Sequence, residues 1–252
     1  MAGIFDSLRI AARTSGSRPL VTWLGPDGQR SELSVSALLN SAIKTANLLG
    51  DVYELGPGDT ITLRLPHHWQ VPVWLSAIDV VGAHVILLPP GAPAPHCTAT
   101  VDADPRHAVE SSARLAVAVS THPLGLPGDV PEGVIDHARE MLGQPDELVT
   151  ELSDGLRLTT TDQGTLSGAD IVELARGPCR DLGARGRLLS AVPPWTTPGV
   201  LAAWAVPILA ESCVVLADAA AGPIAESERI THIARNHGGT LKVTQWDRTT
   251  TG

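Results

Sequence analysis

Residues 61 to 88 constrain the architecture of this chain more than any other stretch. Ile61-Thr62-Leu63-Arg64-Leu65 is β-branched and apolar and lies between the Gly56-Pro57-Gly58-Asp59 turn and Pro66, which predicts a strand. Trp69 to Val81 reads as a helix closed by Gly82, and Ala83 to Leu88 is a nearly continuous apolar run stopped by Pro89-Pro90. Such a run suits a parallel strand covered on both faces. Strand, helix and strand in this order predict an α/β fold, a layered sheet with flanking helices.

The flanking sequence extends the alternation. Met1 to Arg13 is a short amphipathic helix without the continuous apolar stretch of a signal peptide. Leu20 to Leu24 and Ser31 to Leu33 form an opening hairpin around Gly25-Pro26-Asp27-Gly28. Ser34 then caps a helix whose stripe of Val35, Leu38, Leu39, Ala42, Ile43, Ala46 and Leu49 should pack on a sheet. Strands are predicted at Thr98 to Val101, Leu115 to Val119, Leu188 to Val192 and Cys213 to Ala217, and helices at Pro105 to Ala113, Val134 to Leu142, Ala169 to Leu182, Gly199 to Leu209 and Ile224 to His237. Asp154-Gly155 between Leu148 to Ser153 and Leu156 to Thr161 is a two-residue hairpin signal. The chain reads as a single domain over residues 1–252, with an internal boundary expected near the Pro- and Gly-rich stretch at 122–132.

Composition narrows the function classes. With 43% hydrophobic residues and mean hydropathy +0.11 the chain can bury a full core. Lys+Arg 18 against Asp+Glu 27 gives a net charge of -9, so a basic nucleic-acid footprint is absent. Val200 to Ala210 is the most apolar later stretch, but Pro207 interrupts it and it falls short of the roughly 20 residues that span a bilayer. The three cysteines form no CxxC pair, which suits a reducing cytoplasm rather than a disulfide framework.

Two stretches carry a family likeness. One runs from the hairpin at Leu20 to Pro90, with its helix, Gly-x-Gly-Asp turn, strand ending in Leu-Pro, helix, Gly-Ala and strand ending in Pro. The other is RLLSAVPPWTTPGVLAAWAVPILAESCVVLA, within about Leu156 to His237. Together they resemble the first part of the adenylate-forming enzymes, the superfamily of acyl-CoA synthetases, luciferases and peptide-synthetase adenylation domains. The resemblance implies an ATP or AMP site at the family's Thr-Ser-Gly-Thr-Thr-Gly-x-Pro-Lys-Gly loop, which holds phosphates through amides, hydroxyls and a lysine. The corresponding place here reads Thr159-Thr160-Thr161-Asp162-Gln163-Gly164, so Thr159, Thr160, Thr161 and Gly164 are the candidate nucleotide-binding residues. Asp162 would set negative charge beside phosphate, and the chain's two lysines, Lys44 and Lys242, are far from the loop in sequence.

The family's aromatic-His pair corresponds to Trp195-Thr196, which keeps the aromatic and removes the imidazole. Trp195, Thr196, Thr197 and Gly199 are the candidate substrate-binding residues. Trp195 either walls an acyl or nucleotide pocket or covers a sheet edge or helix start, and the second role is favoured. The sequence ends at Gly252, before the family's Tyr-Gly-x-Thr-Glu segment and its lysine-bearing C-terminal domain. The resemblance thus implies a truncated, degenerate relative, a pseudoenzyme with no catalytic residue of its own. Its partner would be another protein or a second copy of the chain, not nucleic acid or a membrane. The alternative is an enzyme component that binds nucleotide or acyl-adenylate and needs a partner chain for catalysis.

Other chemistries have weaker signals. His67-His68, His96-Cys97 and His232 with His237 lack metal-ligand spacing, so no metal site is expected. Gly164-Thr165-Leu166-Ser167-Gly168 puts its serine one place late for a nucleophile elbow, and Ser167 reads as a helix cap. Asp102 with Asp104, and Glu226 with Glu228, converge on no common site and are expected to be solvated carboxylates.

Overall fold

The computed structural model describes residues 3–109, 112–183 and 186–217. The predicted helix at Ile224 to His237, with Glu226, Glu228, His232 and His237, lies outside them. The chain opens with helix α1 (Ile4–Ser15), the antiparallel pair β1 (Pro19–Leu24) and β2 (Arg30–Ser34), and α2 (Val35–Asn47), which runs into a wide π turn at Leu48–Val52. Ser34 Oγ accepts the Ala37 N–H, the expected cap. Then follow β3 (Thr60–Arg64), α3 (Gln70–Val81) and β4 (His84–Leu87), with Gly82 closing α3 at φ 70.

Next come β5 (Ala99–Asp102), α4 (Pro105–Val109), β6 (Leu115–Ala118), β7 (Ile135–Asp136) and α5 (His137–Met141). The last described elements are β8 (Arg157–Thr160), β9 (Gly164–Ser167), α6 (Gly168–Leu182), β10 (Arg187–Ser190), a helical segment made of α7 (Thr197–Val200), a π turn (Leu201–Ala205) and α8 (Val206–Leu209), and β11 (Cys213–Ala217). Pro207 offers no N–H to the carbonyl four residues back, and the helix widens just before it.

Two sheets result. The larger has the order β7-β6-β5-β3-β4-β8-β9, parallel except for β9, and the smaller has the order β10-β11-β1-β2, parallel except for β2. The α/β architecture and the parallel setting of the apolar run after Gly82 follow the sequence expectation. A single hydrophobic cluster joins both sheets through the helices. Trp74 of α3 and Trp204 are fully buried in it, and Trp204 Nε1 donates to Ser76 Oγ at 2.9 Å.

Three expectations need correction. The α2 stripe is buried, but mainly against α3 and α1 rather than on a sheet. The hairpin lies at β8–β9 and not at Asp154-Gly155, because residues 145–150 are claimed by α2. Asn47 donates to Pro145 O and Glu147 O at 3.3 and 2.8 Å and accepts from Val149 and Thr150 N–H at 2.9 and 3.3 Å. Asp102 is buried rather than solvated, paired with Arg64 at 2.6 Å, whereas Asp104 binds Arg106 near the surface. Arg64 also donates to Ala92 O and His107 O at 2.8 and 3.0 Å. A buried charge is tolerated only with such partners.

The start of α1 depends on a distant acceptor. Gly3 has no side chain to cap it, and the Phe5 N–H donates instead to Asp79 on α3 at 3.0 Å. Burial pushes the Asp79 carboxyl up to about 6, with the Phe5 N–H pulling it down. A carboxyl raised on folding stabilises the fold below its unfolded pKa of about 4, and that contribution is lost as pH rises through the folded value. Asp79→Asn keeps an acceptor without the charge. Its stability relative to the parent should rise by roughly 3 kcal/mol from about pH 4 to about pH 8 in denaturant unfolding; a pH-independent difference would contradict this.

Candidate functional site

The two stretches singled out from the sequence meet past the carboxyl ends of β4 and β8. There β8 turns through Thr161-Asp162-Gln163 into β9, and the chain from β10 passes Pro193-Pro194-Trp195 before Thr196 caps α7. Asp162 Oδ1 accepts both the N–H and the hydroxyl of Thr197, at 2.9 and 3.1 Å. With the Thr197 proton directed to Asp162, the Thr160 hydroxyl, 2.8 Å away and buried, must be the donor to Thr197 Oγ1. Thr160 Oγ1 in turn accepts the Gln163 N–H at 3.3 Å. The chain Gln163, Thr160, Thr197, Asp162 is therefore a directed ring that ends on a carboxylate.

The neighbouring donors are also turned inward. The Thr161 N–H and hydroxyl both go to Trp195 O, at 3.0 and 3.2 Å. Thr196 Oγ1 donates to Pro193 O at 2.8 Å and accepts the Gly199 N–H at 3.2 Å. Gly199 sits where a Cβ would run into the Pro193 carbonyl, so only glycine lets the helix lie against that backbone. Thr159 faces the other side of the sheet, as alternation along a strand requires, and bonds His84 Nε2 and Thr165 Oγ1 at 2.8 and 2.7 Å. Gly164, at φ 75, pairs with Thr160 as the first residue of β9.

Trp195 and Pro194 line an apolar hollow with Leu63, Leu65, Val71, Leu87 and Leu88, of about 10 Å³ and open to solvent on one side. That is room for one water-sized sphere, and its position outside parallel strand ends is where α/β folds hold ligands. Thr160, Thr161, Trp195, Thr196, Thr197 and Gly199 are thus brought together, while Thr159 is directed elsewhere. Sequence reasoning flagged Asp162 only as a charge unfavourable to phosphate. Its role as acceptor for a helix start 35 residues on has no local signal.

The remaining candidates have structural partners. His68 is buried between Trp23 and Trp69, with ring centroids 4.4 and 5.2 Å away, and burial pushes it down to about 3. His67 Nδ1 lies 3.0 Å from Ala217 O. Ser167 forms the expected cap, in a reciprocal pair with Asp170. Cys97 is buried beside Thr62.

Among known proteins, one from Mycobacterium tuberculosis (strain ATCC 25618 / H37Rv) described as a "TIGR03089 family protein" is 34% identical over 214 residues, 81% of this chain and 83% of that protein. The acetoacetyl-CoA synthetase from Streptomyces lividans superposes with TM-score 0.74 at 18% identity, over 96% of this chain and 42% of that one. The Brucella canis acyl-CoA synthetase does so with TM-score 0.73 at 16% identity, over 97% and 47%. The chain thus has the fold of acyl-CoA synthetases and spans less than half the length of these two. No family model matches the chain.

Replacing Gly with Ala inside a helix ordinarily stabilises it, by up to about 1 kcal/mol. Gly199→Ala should instead destabilise the protein by about 1–3 kcal/mol, because the Pro193 backbone must move. Gly143→Ala, which meets only ordinary contacts, should stay within about 0.5 kcal/mol of the parent. Thermal unfolding of the two variants checks this, and a stabilised Gly199→Ala would contradict the close approach.

Proposed function

The chain belongs to the TIGR03089 family, and we propose that it is an adenylate-forming-like protein that performs no adenylation itself and acts through binding, regulation or assembly. The observation that carries this reading is the hydrogen-bond ring closed by Asp162. A loop that holds polyphosphate must aim N–H and O–H donors at the ligand and add positive charge. Here the donors of Thr160, Thr161 and Thr197 are committed to the protein's own oxygens. Redirecting them would break several hydrogen bonds at roughly 1 kcal/mol each.

Charge opposes phosphate as well. A carboxylate about 4 Å from a phosphate oxygen costs about 1 kcal/mol in water and about 4 kcal/mol at a partly enclosed surface. Lys44 lies on α2 and pairs with Asp146 at 2.9 Å. The hollow beside Trp195 is narrow, with room for about one water-sized sphere where the ring stands.

Two assays test the reading. ATP, AMP and non-hydrolysable acyl-adenylate mimics should give no saturable thermal shift, although a ligand at about 100 times its Kd would add about 2.7 kcal/mol. ATP–pyrophosphate exchange should be absent across a panel of carboxylic acids. An exchange signal abolished by Thr160→Ala or Thr161→Ala would overturn the reading, and a saturable shift with the mimic alone would favour an enzyme component completed by another chain.

A further inference from the structure

Of the nine large apolar side chains exposed among the described residues, three fall on the strip formed by residues 142–152, and a fourth, Val52, lies two residues beyond Gly50, which Thr150 of the strip touches. Leu142, Val149 and Leu152 are 68%, 55% and 44% exposed, and Val52 is 49% exposed. The strip is built by the strap that follows α5. Met141 Sδ lies 3.8 Å from Thr45 Oγ1, Asp146 pairs with Lys44, and the Asn47 side chain grips the backbone of residues 145–150. Thr150 lies against Gly50, and the Ser153 N–H donates to Val80 O at 2.8 Å, so the strap crosses from α2 to the close of α3. Val52 belongs to the π turn two residues beyond Gly50.

The strap is pinned to the fold and sorted by face. Leu148 packs on the core, while Glu147, Val149 and Glu151 are exposed. Between residues 140 and 154 the sequence carries five acidic residues and no Lys, Arg or His; Lys44 of α2 offsets one of them, Asp146, and Arg114 donates to Tyr53 O beside Val52, so the acidic excess lies at Glu140, Glu147, Glu151 and Asp154. Apolar anchors within a charged rim are the anatomy of a protein interface, and a segment already fixed loses little freedom on binding.

The charge selects the occupant. Nucleic acid and anionic lipid are repelled by this rim, and an isologous contact with a second copy would set the acidic strip against itself. We propose that the strap is a docking surface for a cationic amphipathic segment of a partner protein, whose apolar side chains cover Leu142, Val149 and Leu152 and whose Lys or Arg side chains meet the acidic rim. The surface is separate from the hydroxyl-rich turn. It lies where α3 ends and β4 begins, whereas the turn lies past the carboxyl ends of β4 and β8. It deepens the reading above, on which it rests, by giving the binding role a place and a partner chemistry.

The test uses the full chain and two fluorescent peptides of equal positive charge, an amphipathic one of Lys and Leu and a control of Lys and Ser, followed by anisotropy. The Lys/Leu peptide should bind the parent about tenfold more tightly than the control, and the double variant Val149→Ser, Leu152→Ser should lose about that factor. Glu147→Gln with Glu151→Gln should weaken binding and flatten its salt dependence. Leu174→Ser on α6 should leave binding unchanged. All these positions are exposed, and circular dichroism verifies that each variant is folded. Equal binding of the two peptides, or variants that bind like the parent, would overturn the proposal. A parent dimer in sedimentation that Val149→Ser, Leu152→Ser dissociates would also overturn it, in favour of a second copy. Adenylation by the parent would remove the reading of the turn while leaving the peptide result readable by itself.

Discussion

The first amides of a helix have no partner within the helix, and the helix that starts at Thr197 meets that requirement with a carboxylate from a different strand pair. Asp162 Oδ1 takes both the N–H and the hydroxyl of Thr197. Hydrogen bonds to a charged acceptor contribute about 1.5–3 kcal/mol, more than neutral ones. Much of the local structure depends on this contact. It orients the Thr197 proton, which makes Thr160 a donor and draws in the Gln163 N–H, so the β8–β9 turn is closed onto the helix. The Trp195 carbonyl fastens Thr161 from the other side, and Gly199 allows the Pro193 backbone to come close enough for the arrangement to fit.

The same contact occupies donors of the turn and of the helix start. Hydroxyls and amides in a loop after a parallel strand would ordinarily be a favourable place for an anion. In this chain they are satisfied by internal oxygens, and Asp162 brings the negative charge that a bound phosphate would bring. The chain has the fold of acyl-CoA synthetases, and its β8–β9 turn is hydrogen-bonded to the helix that starts at Thr197.

Local periodicity made the parallel strands and the capped helices legible in the sequence. The apolar run ending at Leu88, the Ser34 and Ser167 caps and the Gly82 stop each act within a few residues. Where the sequence misled, the deciding partner lay far along the chain. Asp154-Gly155 has the composition of a hairpin turn, but Asn47 and Val80 take up the backbone just before it. Asp102 looks like a surface carboxylate until Arg64, in register with it on the neighbouring strand, is brought alongside. Family likeness marks Thr160 and Thr161, and separately Trp195 and Thr197, as candidates, whereas their meeting and the use of Asp162 to close it depend on tertiary contacts that no spacing rule encodes.

Backbone amide hydrogen exchange at Thr197 tests the central claim most directly, with Thr161 as the companion amide held by Trp195 O. If Asp162 closes the ring, both amides are protected in the parent, and Asp162→Ala speeds exchange at Thr197 by about tenfold relative to the amides of β4 and α3, the factor expected for losing a cap of about 1–2 kcal/mol. Rapid exchange at Thr197 in the parent, or a rate that Asp162→Ala leaves unchanged, would contradict the account.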